Sequence, residues 1–65
     1  MTVYVGPGPD NSVSISPVSQ DDPGYESSHV IVLDAFDPKR TTQGALTATL
    51  INLLRLGGAD VVHEA

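Results

Sequence analysis

Few side chains in this sequence could do chemistry. His29, His63, Asp34 and Glu64 offer imidazole and carboxylate groups, which suit a divalent metal ion. Asp34 also ends a hydrophobic run, Val30-Ile31-Val32-Leu33, where a strand-end carboxylate could in principle act as a nucleophile. Strand direction decides which of these groups meet. If the strands flanking the intervening helix are parallel, Asp34 and His63 share one end and His29 lies at the other; if antiparallel, His29 approaches His63. In neither arrangement do three ligands converge, so no metal site is expected.

The segment VIVLDAFDPKRT invites comparison with phosphotransfer enzymes of the haloacid dehalogenase type, which place a nucleophilic Asp just after a hydrophobic strand. Those enzymes need a second Asp closer than the three positions separating Asp34 from Asp37. Asp37 reads better as a helix cap, and Asp34 as a solvent-exposed strand end. The loop GPGPD lacks the Lys and Ser or Thr of a phosphate-binding loop, and Pro7 and Pro9 remove amide donors that a phosphate would use. Tyr25 among Asp21, Asp22 and Glu26 has the composition of a recognition peptide, but acidic loops are common. With no cysteine, disulfides and thiolate chemistry are absent. No catalytic, cofactor-binding or metal-binding residue is assigned, and the chain is expected not to be an enzyme.

Charge narrows the partners. Lys39, Arg40 and Arg55 stand against eight carboxylates, for a formal net charge of −5. Three cations cannot form the basic stripe of a nucleic-acid binder. The carboxylates are too few and scattered for a mimic of duplex phosphates. Residues 1–10 contain neither the basic nor the apolar region of a secretion signal, and Ala45–Leu56 is too short and too polar to span a bilayer. The expectation is a soluble protein of the cytoplasm or of a viral particle, without membrane, nucleic-acid or small-molecule partners.

Sixty-five residues allow one small core, in which apolar burial and the entropy of ordering are of similar size. Composition divides the chain near residue 28. Residues 1–28 hold four of the five prolines and eight of the 26 apolar residues, and read as a hairpin-and-loop segment. Residues 29–65 carry the other 18 and are expected to hold the core as a strand-helix-strand unit of the same domain.

Thr2–Val5 and Ser12–Ser16 are β-prone runs joined by GPGPDN, a hairpin or an extended arm. Strict alternation in the second run puts Val13 and Ile15 on one face and three serines on the other, a half-buried strand. Residues 17–28 read as a surface loop with a tight turn at Pro23-Gly24. His29–Leu33, rich in β-branched residues, has the composition of an interior strand. A helix follows, capped by Asp37 with Pro38 in its first turn, or by Thr41 or Thr42. Gly57-Gly58 ends it, and Asp60–His63 is a short last strand. The predicted class is α+β, with three or four strands packed on one amphipathic helix.

That helix is poor in charge. Leu46, Leu50, Ile51, Leu53 and Leu54 form its core stripe, yet from Thr41 to Leu56 the only charged side chain is Arg55. The opposite side offers Gly44, Ala48, Asn52 and Arg55, small or neutral enough for another surface to approach. Thr2–Val5 could add to a neighbouring subunit's sheet through its main chain. Val3, Tyr4, Val5, Gly44, Ala48, Asn52 and Arg55 are therefore the expected partner-binding residues, and the partner is another protein or a second copy. The function expected is that of a non-catalytic structural or interaction protein. It would be an accessory subunit of a viral particle or multisubunit complex, or a homo-oligomer. The alternative is a small acidic regulator or inhibitor docking on a basic surface of an enzyme, toxin or defence factor.

Overall fold

The computed structural model describes residues 1–25, 30–34 and 42–64. Strand β1 (Thr2–Pro7) turns back through Gly8–Asn11 into β2 (Ser12–Ser16), forming an antiparallel hairpin with Val5 opposite Ile15 and Pro7 opposite Val13. In the turn Asp10 takes a left-handed φ of 55°, and the Ser12 amide donates to the Pro9 carbonyl at 3.2 Å. Pro7 can sit in this strand because it occupies the last position. Strand β3 (Ile31–Asp34), helix α1 (Gln43–Leu56) and strand β4 (Asp60–His63) complete the order. The α+β class, one helix on a four-stranded sheet, is as expected.

The strand order is β3-β2-β1-β4. β3 is antiparallel to β2, and β4 is parallel to β1. It follows that β3 and β4 run in the same direction on opposite edges, with the hairpin between them. This corrects the interior placement expected for the Val30–Leu33 run. β3 is an edge strand, with Ile31 55% and Val32 48% exposed. Its β-branched composition records a demand for cover, which the described residues meet on one side only.

The same topology corrects the role of the N-terminal run. β1 is no free arm: it is bonded to β2 on one side and β4 on the other. Its main chain therefore has no edge to add to a neighbour's sheet. Val3 and Val5 are buried, and with Val13 and Ile51 they form the centre of the core. Three of these four residues come from the segment that looked too poor in apolar residues to anchor a fold. Central strands covered on both faces need few large side chains to exclude water.

Thr42 caps α1: its backbone is extended and its hydroxyl accepts from the Ala45 amide at 3.1 Å. The Asp37-Pro38 start lies outside the described residues. At the other end the Ala59 amide donates to the Leu54 carbonyl and the Gly58 amide to that of Arg55, with Gly58 at φ 91°. This paired closure needs a left-handed residue, which glycine adopts without steric cost. The buried helix face is rotated from the expected stripe. Thr47 and Ile51 are buried and Leu46, Leu50 and Leu54 partly so, while Leu53 is 59% exposed. Thr47 tolerates burial because its hydroxyl donates to the Gln43 carbonyl at 2.7 Å.

β2 is buried on both faces, where a half-buried strand was expected. Ser12, Ser14 and Ser16 are all buried on the face away from the helix. Their hydroxyls bond to the Pro9 carbonyl, the Tyr25 hydroxyl and the Val18 amide respectively. The Asp22-Pro23-Gly24-Tyr25 turn forms as expected, with the Tyr25 amide donating to the Asp22 carbonyl at 3.0 Å. Glu64 pins the preceding turn across the same face: its carboxylate accepts from the Ser19 hydroxyl at 2.7 Å and the Gln20 amide at 3.1 Å. Gly6 makes room, since a Cβ there would meet both Gln20 Nε2 and Glu64 Cβ at 3.0 Å.

Hydrogen bonds to a charged acceptor contribute about 1.5–3 kcal/mol when partly buried. Glu64→Ala should therefore lower unfolding stability by about 2 kcal/mol in urea titration, and Glu64→Gln, which keeps an acceptor oxygen, by less. An unchanged midpoint for both variants would contradict this account of the loop.

Candidate functional site

The expected partner-binding residues divide between the core and the surface. Val3 and Val5 point under the helix, and Tyr4, half-buried, points to the opposite face beside Val62. Val3 and Val5 serve the chain's own core, and Tyr4 keeps part of its side chain exposed. Gly44, Ala48, Asn52 and Arg55 are all exposed. With Pro7 and His63, from the ends of β1 and β4, they line an open groove of about 510 Å³ along one flank of α1. A Cβ on Gly44 would meet nothing closer than the Thr42 hydroxyl at 4.0 Å, so nothing within the chain requires glycine there.

The groups with metal-binding chemistry do not come together. β3 and β4 are parallel, so Asp34 and His63 lie at the same end of the sheet. They sit on opposite edges, about 14 Å apart at a spacing of roughly 4.8 Å per strand. His63 shares the helix side with Val5, whereas Glu64 is turned to the other face and engaged with Ser19 and Gln20. Among the described residues no three His, Asp or Glu side chains gather into a ligand set. His29 lies outside the described residues.

A second surface carries the larger share of exposed apolar atoms, and the sequence reading did not single it out. On the helix side of the sheet, Ile31 and Leu33 stand in register with Ile15 and Val13, but α1 packs on β1, β4 and β2 and does not reach β3. Beside them Met1, Val3, Ile15, Pro17 and Ile31 line an apolar hollow of about 250 Å³. Leu53 and Leu56 lie on the helix away from the Gly44-Ala48 flank, 59% and 85% exposed. A signal for this surface existed in the sequence: a β-branched strand needing two covered faces, beside a single short helix. Strand order, which places that strand beyond the helix's reach, was not visible there.

Among the described residues no helix is long and apolar enough to cross a membrane. The exposed features are thus an uncovered apolar surface around β3 and a small-residue groove on the other flank of the helix.

Gly44 should test whether the groove works within the chain. Gly44→Ala is expected to raise the isolated chain's stability by roughly 0.5 kcal/mol through helix propensity. Ala48→Glu should leave its circular dichroism unchanged. A loss of stability above about 1 kcal/mol in either would show that the groove belongs to the chain's own packing. No protein-family model, curated protein or solved structure matches this chain, so its function has to be read from these side chains.

Proposed function

We propose that this protein is a non-catalytic interaction subunit that completes its apolar cover within a larger assembly, such as a viral particle or multisubunit complex, or as a homo-oligomer. One observation carries the reading. Among the described residues four apolar ones are buried, while Met1, Ile31, Val32, Leu33, Leu53, Leu56 and Val62 are exposed large hydrophobics. Single exposed hydrophobics are ordinary, but several gathered along one strand and the nearby sheet face mark an interaction surface.

The chemistry of the described side chains supports the same reading. The Ser19 hydroxyl meets the Glu64 carboxylate at 2.7 Å, but that carboxylate also accepts from the Gln20 amide and ties down the loop. The groove beside Arg55 is open along its outer side. Of the carboxylates on which an acidic regulator would rely, Asp10, Asp21 and Asp22 are exposed on loops. Apolar association differs from that mode in its response to salt: screening weakens contacts between exposed charges and leaves apolar burial intact.

The test uses Leu53→Gln and Leu56→Gln. Both side chains lie outside the core, so each variant should unfold within about 0.5 kcal/mol of the parent. Association, followed by sedimentation at low and high salt, should persist in salt for the parent and weaken for the double variant. A loss of about 2–5 kcal/mol of stability would instead place these leucines in the chain's own core. Association abolished by salt would favour the acidic regulator.

A further inference from the structure

The structure assigns the outer edge of β3 to a second copy of this chain: we propose that two β3 strands pair antiparallel about a two-fold axis through Val32. The inference rests on the interaction reading above and names its partner. It would join the two sheets into one of eight strands, β4-β1-β2-β3 running on into β3-β2-β1-β4 of the second copy.

Three features favour a copy of the same chain over an unrelated strand. First, the two edges of the sheet are marked differently. β4 carries an ionisable residue at each end, Asp60 and His63, and leads into Glu64, whereas β3 carries one, Asp34 at its last position, and its run Ile31-Val32-Leu33 brings no charge to the edge. Natural edge strands are commonly guarded by charge, proline or a bulge, and these three residues supply none.

Second, β3 is complementary to itself. Residues directly opposite in an antiparallel pair share a face. A register centred on Val32 therefore sets Ile31 against Leu33 of the second copy on the helix side, and Val32 against Val32 on the other. Apolar meets apolar at these three positions, as a two-fold contact of one patch with itself requires, and Asp34 at the strand's end falls opposite Val30 of the second copy. Registers shifted by one residue would put Ile31 and Leu33 on the wrong face. Val32 is available for this contact: Ser14, its neighbour in register, is covered through Tyr25, while Val32 stays 48% exposed.

Third, charge permits the approach. Each copy carries a formal −5; Asp60 lies at the far edge, about 14 Å from β3, and the two Asp34 positions, four residues apart along the paired strands, are also about 14 Å from each other, beyond the Debye length of roughly 8 Å at physiological salt. The contact is small. A four-residue strand with its flanking side chains falls below the roughly 800 Å² per partner of a standard interface. A dissociation constant on the order of micromolar fits that size.

Native mass spectrometry and sedimentation of charge-swapped chains test the pairing. Val32→Lys and Val32→Glu each set like charges opposite each other at the axis, and each alone should raise the dissociation constant at least tenfold. Mixed together, the two variants should form a heterodimer, and Val32→Thr should dimerise like the parent. In a chain without cysteine, Val32→Cys should yield a disulfide-linked dimer in oxidising buffer, and Asp60→Cys on the other edge should not. This keeps the test open if a charged variant fails to fold. A monomeric parent, charged variants that dimerise unaided, a mixture without heterodimer, or equal cross-linking from Asp60→Cys would each overturn the pairing. If Leu53→Gln with Leu56→Gln abolishes association while the Val32 variants do not, edge pairing fails and the interaction reading stands.

Discussion

One helix cannot roof four strands. An α-helix with its side chains is about 10 Å across, while the outer strands of this sheet lie about 14 Å apart between their axes. α1 settles over β1 and β4 with one shoulder on β2, and β3 falls outside its shadow. The burial of the hairpin, the exposure of the Ile31–Leu33 run and the shallow apolar hollow beside Met1 all follow from that mismatch of widths.

The chain's response is to protect its two middle strands completely and its edges poorly. β1 and β2 have the helix on one side and the 17–25 loop on the other. Small residues can therefore serve as interior residues, provided their polar atoms are satisfied. Three serines do so on the loop side through Pro9, Tyr25 and Val18, and Thr47 does so on the helix side through Gln43. No buried side-chain polar atom among the described residues lacks a partner. The Glu64 carboxylate, at the end of the last strand, holds down a loop that begins just after β2, so the parallel β1-β4 pairing and the far-side cover depend on each other.

What the sequence made legible is local. The alternation of Ser12–Ser16, the threonine cap, the Pro23-Gly24 turn and the left-handed glycine after the helix are each written within a few neighbouring residues, because short-range sterics and hydrogen bonds decide them. Strand order is written nowhere locally. Thr2 meets Asp60 and Ser12 meets Asp34 through pairings that depend on the whole topology. A hydrophobic β-branched run therefore looked interior when it is an edge, and a terminal run looked like a donated arm when it is the centre. Of the surface, the Gly44, Ala48, Asn52 and Arg55 face could be read from the missing helix charges, because helical period alone places those residues together. The β3 surface could not, because its exposure depends on which strand the helix fails to reach.

Amide hydrogen exchange, compared between dilute and concentrated protein, tests the incomplete cover most directly. Ile31 and Leu33 bond to Ile15 and Val13 of β2, and the alternation of an antiparallel ladder turns the Val32 amide outward; if that edge is uncovered, the Val32 amide exchanges quickly in dilute solution and gains protection as the concentration rises. The amides of Val3 and Val5 stay protected throughout. Strong protection of the Val32 amide at every concentration, equal to that of β1, would mean that the chain covers this edge itself and would contradict the account.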